Sequence, residues 1–159
     1  MKKFLGLFVI ICVLFSLTAC MGSKPVESKE VINSNDFSNY FSVNHSDFLV
    51  TDLTDQYGQE EYDNVVIVTD EVNNYNIEFY DFKDGTKANE MYSENSGIIS
   101  DFVGEEKYTE VLMGNYSTYI ASNSFNYWVI SRVSDTLIYI EAPLAQKDAV
   151  DLIISNLGY

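Results

Sequence analysis

The sequence predicts an α+β domain: an antiparallel β-sheet with two longer helices packed on one face, plus a short N-terminal helix. Stretches rich in Val, Ile, Tyr and Thr recur between residues 48 and 142 with short polar connectors, the composition and spacing of strands that pair antiparallel. Two longer stretches, near 86–103 and 143–157, instead repeat apolar residues every three or four positions, the period of an amphipathic helix. A helix with one apolar stripe and a sheet with an apolar face each need cover, and here they have only each other.

Taken in order, "NDFSNYFS" sets Phe37, Tyr40 and Phe41 at helical spacing behind candidate caps Ser34 and Asn35, which predicts the short first helix. A short strand near Phe48 to Leu53 leads into an acidic loop holding Asp52, Asp55, Glu60, Glu61 and Asp63. "NVVIVTDEV" and "YNIEFYDF" read as a hairpin turning across Asn73-Asn74, two residues that tolerate positive φ. After "KDGT", the residues Ala88, Met91, Tyr92, Asn95, Ile99 and Phe102 predict a helix over 86–103, stopping near Gly104.

Strands are then expected at Thr109–Met113, Tyr116–Ser122 and Phe125–Val133, with a fourth at Leu137–Ala142 pairing back across "SDT". Pro143 should open the last helix, where a missing N–H costs nothing. Ala149, Val150, Ile153, Ile154 and Leu157 would line its inner face, with Gly158 ending it. A weak internal echo, "YNIEFYDFKDGTKANEMY" against "TLIYIEAPLAQKDAVDLI", repeats strand, connector and helix.

The register of the last hairpin decides which face each ring takes. If only Ser134-Asp135 forms the turn, Ile130 pairs with Tyr139; if Thr136 joins it, Ile130 pairs with Ile140. The second register is preferred here because it separates Trp128, Ile130, Ile138 and Ile140 from Tyr127, Tyr139 and Glu141, and a slip of one residue reverses every side chain.

Ahead of the domain, Met1-Lys2-Lys3 and the apolar run Phe4 to Phe15 have the basic start and core of an export signal. The run is shorter than the roughly 20 residues that a spanning helix needs. Leu17-Thr18-Ala19-Cys20 resembles the lipobox of bacterial lipoproteins, a resemblance confined to residues 1–20. It implies cleavage between Ala19 and Cys20, a diacylglyceryl group on the Cys20 thiol, and a membrane anchor with the domain on the extracytoplasmic face. The expected organisation is therefore a cleaved signal peptide over 1–19, a lipidated N-terminus and flexible tether over 20–34, and one domain over 35–159. The domain as a whole resembles small surface lipoproteins of Gram-positive bacteria with a "LGY"-like last helix, which implies no activity.

Charge excludes one class of partner. Without Lys2 and Lys3 the mature chain has 7 basic and 24 acidic side chains, a net charge of −17. Nucleic acid is bound by neutralising phosphates, and a chain with the single arginine Arg132 and no basic cluster is unfit for it. Cys12 leaves with the leader and Cys20 is lipidated, so no thiol remains for a disulfide, a metal or a nucleophile.

Motifs for chemistry are few. His45, the single histidine, precedes Ser46 and Asp47, but adjacent residues rarely orient one another as a triad requires. In "DFKDGTKANE", counting back from Gly85 puts Tyr80 where the first ligand of an EF-hand should stand, so that reading fails. The acidic loop could gather a divalent cation weakly or simply be solvated, and no cofactor motif is present.

Aromatic residues remain. Tyr75, Tyr80, Tyr116, Tyr119, Tyr127 and Tyr139 fall on expected strands with Trp128 among them. Packing explains them at least as well as binding. The sharper expectation is an open face on which Tyr119, Tyr127 and Tyr139 hold a protein or cell-wall ligand, with Arg132 under the helices paired to an acid. The expected function is a non-catalytic binding or scaffolding module at the cell surface. A structural or immunity-type surface protein and a small hydrolase using His45 are the alternatives.

Overall fold

A computed structural model describes residues 28–103 and 108–159. The leader, the cleavage site Ala19–Cys20 and the lipidation site Cys20 lie outside the described residues. Among the described residues the fold is α+β, with a seven-stranded antiparallel sheet and three α-helices. The strands are β1 (Leu49–Asp52), β2 (Tyr62–Asp70), β3 (Tyr75–Phe82), β4 (Tyr108–Met113), β5 (Tyr116–Ser122), β6 (Asn126–Val133) and β7 (Thr136–Pro143). The helices are α1 (Ser34–Asn44), α2 (Gly85–Val103) and α3 (Lys147–Leu157). Strand order is β1-β2-β3-β7-β6-β5-β4, two meanders zipped together where β3 pairs with β7.

The helices do not share a face. Ala88, Tyr92, Ile99 and Val103 of α2 pack with Val65, Tyr80, Tyr119, Trp128, Ile130 and Leu137. Phe37 and Phe41 of α1 and Val150, Ile153, Ile154 and Leu157 of α3 pack with Val66, Val68, Ile77, Phe79, Val129, Ile138 and Ile140. Residues of opposite parity on the same strands belong to the two sets, so the sheet is covered on both sides. This corrects the expectation of two longer helices on one face. The cause is written in the central strands: "VVIV", "WVI" and "LIYI" are continuous apolar runs, which a strand shows when both its faces are buried. Full burial of one such side chain stabilises the fold by about 1.5–3 kcal/mol, so both faces of these runs need cover over most of their length.

The register of β6 and β7 is the one not preferred above. Ser134-Asp135 alone makes the turn, with Val133 opposite Thr136 and Ile130 opposite Tyr139. Ser134 takes φ 58°, the left-handed conformation that a two-residue hairpin turn demands. Tyr139 therefore lies on the α2 side with Trp128 and Ile130, while Tyr127 lies on the α1–α3 side with Ile138 and Ile140.

Local boundaries moved for identifiable reasons. Asn33 caps α1, its side chain accepting from the Asn35 and Asp36 amides at 2.9 and 3.0 Å. The β2–β3 loop is residues 71–74, not Asn73-Asn74 alone. The buried Asp70 carboxylate accepts from the Val72 and Asn73 amides and draws those residues out of the strand, while Asn74 supplies φ 57°. Pro143 ends β7, and one 3₁₀ turn, Leu144–Gln146, precedes α3. Gly158 closes α3 at φ 84°, the left-handed C-terminal position that glycine fills at least cost.

The folded unit also begins before residue 35. The Lys29 amide donates to the Asn115 side chain at 3.0 Å, and Asn115 returns a bond to the Lys29 carbonyl at 2.8 Å. Asn115 sits in the β4–β5 turn and accepts the Ser134 amide at 2.7 Å. The chain leading from Cys20 thus joins the domain at the end of the sheet that carries the β4–β5 and β6–β7 turns.

Candidate functional site

Helix α2 packs over β5, β6 and the adjoining parts of β3 and β7, leaving the beginning of β3 and the end of β7 open on its own face. There Glu78 of β3 lies opposite Tyr139 of β7. Two residues on, Glu141 stands between Asn76 of β3 and Trp128 of β6. Two adjoining hollows of ≈ 420 and ≈ 370 Å³ share Asn126, Tyr139 and Glu141 as a common wall. The larger extends toward Asn74, Asn76 and Glu78. The smaller runs under the end of α2 to Ile98, Phe102 and Trp128.

Glu78, Glu141 and Asn126 are each held by a neighbour. Asn126 donates its amide to Glu141 Oε1 at 2.7 Å, and the buried Tyr80 hydroxyl donates to Glu78 Oε2 at 2.5 Å. Asn126 is itself placed by a turn in which the Asn123 side chain accepts from the Phe125 and Asn126 amides, both at 2.8 Å. The Tyr139 phenol is pushed up to about 12, first by burial and then by the charges of Glu141 and Glu78, so the ring presents a neutral hydroxyl at physiological pH. Apolar surface adjoins it: Phe102 is 76% and Ile98 49% exposed, unusual for large apolar side chains one helical turn apart. Among the described residues no lysine or arginine lines either hollow.

The three tyrosines expected to share one binding face do not. Tyr119 and Tyr127 are 2% and 1% exposed, on opposite faces, under α2 and α3 respectively. The Tyr127 hydroxyl donates to Asp151 of α3, and Tyr119 lies beside Tyr92 of α2. Tyr75, Tyr80 and Tyr116 are buried as well. Of the six tyrosines expected on strands only Tyr139 is half open. The platform of Tyr119, Tyr127 and Tyr139 is therefore replaced by a cleft around Tyr139, in which Glu141 was expected on the same face as Tyr139 but Glu78, Asn126, Ile98 and Phe102 were not anticipated. With the two-residue turn in place, the alternation of "NIE" and "YIE" would have put Asn76, Glu78, Tyr139 and Glu141 on one surface.

Other candidates fall elsewhere. His45 follows α1 and packs against the rings of Tyr40, Phe41 and Phe48 at centroid distances of 5.5, 5.6 and 5.2 Å, its Nε2 3.4 Å from the Tyr40 hydroxyl. It is half-buried and stands at the C-cap of α1. Arg132 lies on the α2 face as expected, but donates to the Ser134 carbonyl at 2.8 Å and the Ser117 hydroxyl at 3.3 Å instead of pairing with a carboxylate. In the acidic loop Asp52 accepts from the Thr54 amide and hydroxyl, and these bonds hold its pKa below the ordinary value. Among the described residues no three His, Cys, Asp or Glu side chains gather as a metal site would require.

A larger hollow of ≈ 630 Å³ lies between α3 and β5–β6. Its charged groups already serve the fold: Lys147 pairs with Asp151 and sits over the Tyr127 ring, and the Lys29 ammonium is 4.7 Å from the centre of the Tyr116 ring. The Tyr139 cleft differs in offering open aromatic area and two carboxylates that pair with no lysine or arginine among the described residues.

Compared with protein-family models, with curated proteins and with solved structures, the chain matches none.

Proposed function

We propose that this chain is a binding module held at the extracytoplasmic face of the membrane by a lipid on Cys20, and that the cleft around Tyr139 is its ligand face. The observation that carries this reading is the cleft itself, where half-open aromatic rings meet hydrogen-bonding amides and carboxylates fixed in place by neighbours. Such sites pair apolar contact with a few oriented polar groups, and rings that present apolar area with a polar tip suit contacts that must form and release.

Its position supports the same reading. The chain from Cys20 joins the sheet at the Asn115–Ser134 end, whereas Asn74, Asn126 and Pro143 of the cleft lie at the opposite ends of their strands. A strand of seven or eight residues is about 25 Å long, which sets the cleft away from the anchored end.

A screen of peptides and cell-wall fragments by ligand-observed NMR tests the proposal, comparing the parent with Tyr139→Ala and Lys147→Ala. Ligands found with the parent should be lost with Tyr139→Ala and retained with Lys147→Ala. The reverse pattern would move the site to the α3 hollow.

A further inference from the structure

The composition of the cleft walls points to a ligand class, an inference that rests on the cleft being the ligand face. Glu78 and Glu141 flank the Tyr139 ring from β3 and from the same strand. Their recorded partners, the Tyr80 hydroxyl and the Asn126 amide, are neutral donors. They orient the carboxylates without cancelling their charge, and each carboxylate has further lone pairs to offer. With no basic residue among the described residues that line either hollow and a mature chain at −17, the field favours a cation and steers one inward.

A bare cation would leave the second hollow without purpose. Ile98, Phe102 and Trp128 make that end apolar, and it adjoins the charged end through the shared Tyr139 wall. In an extended peptide, side chains two residues apart point the same way at about 6.6 Å spacing, so one segment can fill both hollows. The amides of Asn76, Asn123 and Asn126 along the rim can bond a peptide backbone. Between arginine and lysine, a planar guanidinium both stacks on a tyrosine ring and accommodates a carboxylate with paired N–H groups. We infer that the cleft takes an extended basic peptide segment, with an arginine side chain over Tyr139 between Glu78 and Glu141 and an apolar side chain two residues away against Ile98 and Phe102.

Calorimetric titration of the full chain in a neutral detergent tests this, with the blocked tripeptide arginine–alanine–leucine as probe and its citrulline counterpart, which keeps the shape without the charge, as comparison. The arginine probe should bind more weakly as salt rises, and the citrulline probe about tenfold or more weaker. Glu78→Gln with Glu141→Gln, which keeps both hydrogen-bond acceptors, should lose about the same factor, whereas Asp55→Asn with Glu60→Gln, equal in charge change but in the acidic loop, should lose nothing. Equal affinity for the two probes, or equal loss in the two double variants, overturns the cationic inference. So does an arginine probe that fails to bind at millimolar concentration. If Tyr139→Ala abolishes binding of both probes, the cleft stands even where the charge preference fails; if it affects neither, the cleft reading fails too.

Discussion

Ile130 of β6 lies directly across from Tyr139 of β7. That single pairing puts Tyr139 on the α2 face, half-buried beside the end of the helix, and sends Tyr127 to the opposite face beneath α3. Two tyrosines on neighbouring strands thereby have opposite fates, one a core residue and one a cleft residue.

Stability should separate them. Tyr127→Ala empties a fully buried site and strands the Asp151 contact, so it should cost about 3–5 kcal/mol. Tyr139→Ala, half open, should cost about 1–2 kcal/mol. Urea denaturation of both variants checks this, and equal losses would contradict the assigned register.

Gly158→Ala should destabilise the domain by about 1 kcal/mol, the cost of a left-handed conformation for a residue with a Cβ. The loss would be conformational alone, since nothing lies within 4 Å of the added atom. A calorimetric melt measures it, and an unchanged melting temperature would mean that α3 does not end in the left-handed cap.

Alkaline pH should weaken the fold. Tyr75 and Tyr139 have phenols pushed from 10.0 up to about 12, in both cases mainly by burial. A raised folded-state pKa means that the folded state holds its proton longer than the unfolded chain. Their contribution is thus complete below pH 10 and is lost as pH rises toward 12. Tyr75→Phe and Tyr139→Phe should each flatten that decline in a series of urea melts across the window. A decline as steep as the parent's would show that other groups carry it.

Cys20→Ala should abolish incorporation of a labelled fatty acid and leave the precursor uncut. Metabolic labelling reads both effects, and equal label in the variant and the parent would contradict lipid anchoring.

Much of the element order was legible. The period-two and apolar runs marked the strands, and the three-to-four spacing of Ala88, Tyr92 and Ile99 marked α2, because local spacing reports local structure. Layering was not legible from the helix spacings, which say that each apolar stripe needs cover but not which side of the sheet provides it; continuous runs such as "LIYI" carry the signal of two-sided burial. The last register was misread because neither Ser134 nor Asp135 is the glycine or asparagine that signals a two-residue turn. Ser134 adopts φ 58° because tertiary pairing of β6 with β7 overrides that preference. Of the site, Tyr139 was singled out and its neighbours were not, since Glu78, Asn126 and Phe102 are brought to it by three separate elements whose meeting no local pattern encodes.

The central claim is that the ligand meets the α2 face at the cleft, and photo-crosslinking in intact cells tests it most directly. A benzophenone amino acid would replace Phe102, exposed at the cleft, or Leu152, 61% exposed on α3 across the sheet. Illumination should give a discrete adduct from position 102 that disappears with Tyr139→Ala, and none from position 152. An adduct from position 152, or one from position 102 that survives Tyr139→Ala, would contradict the account.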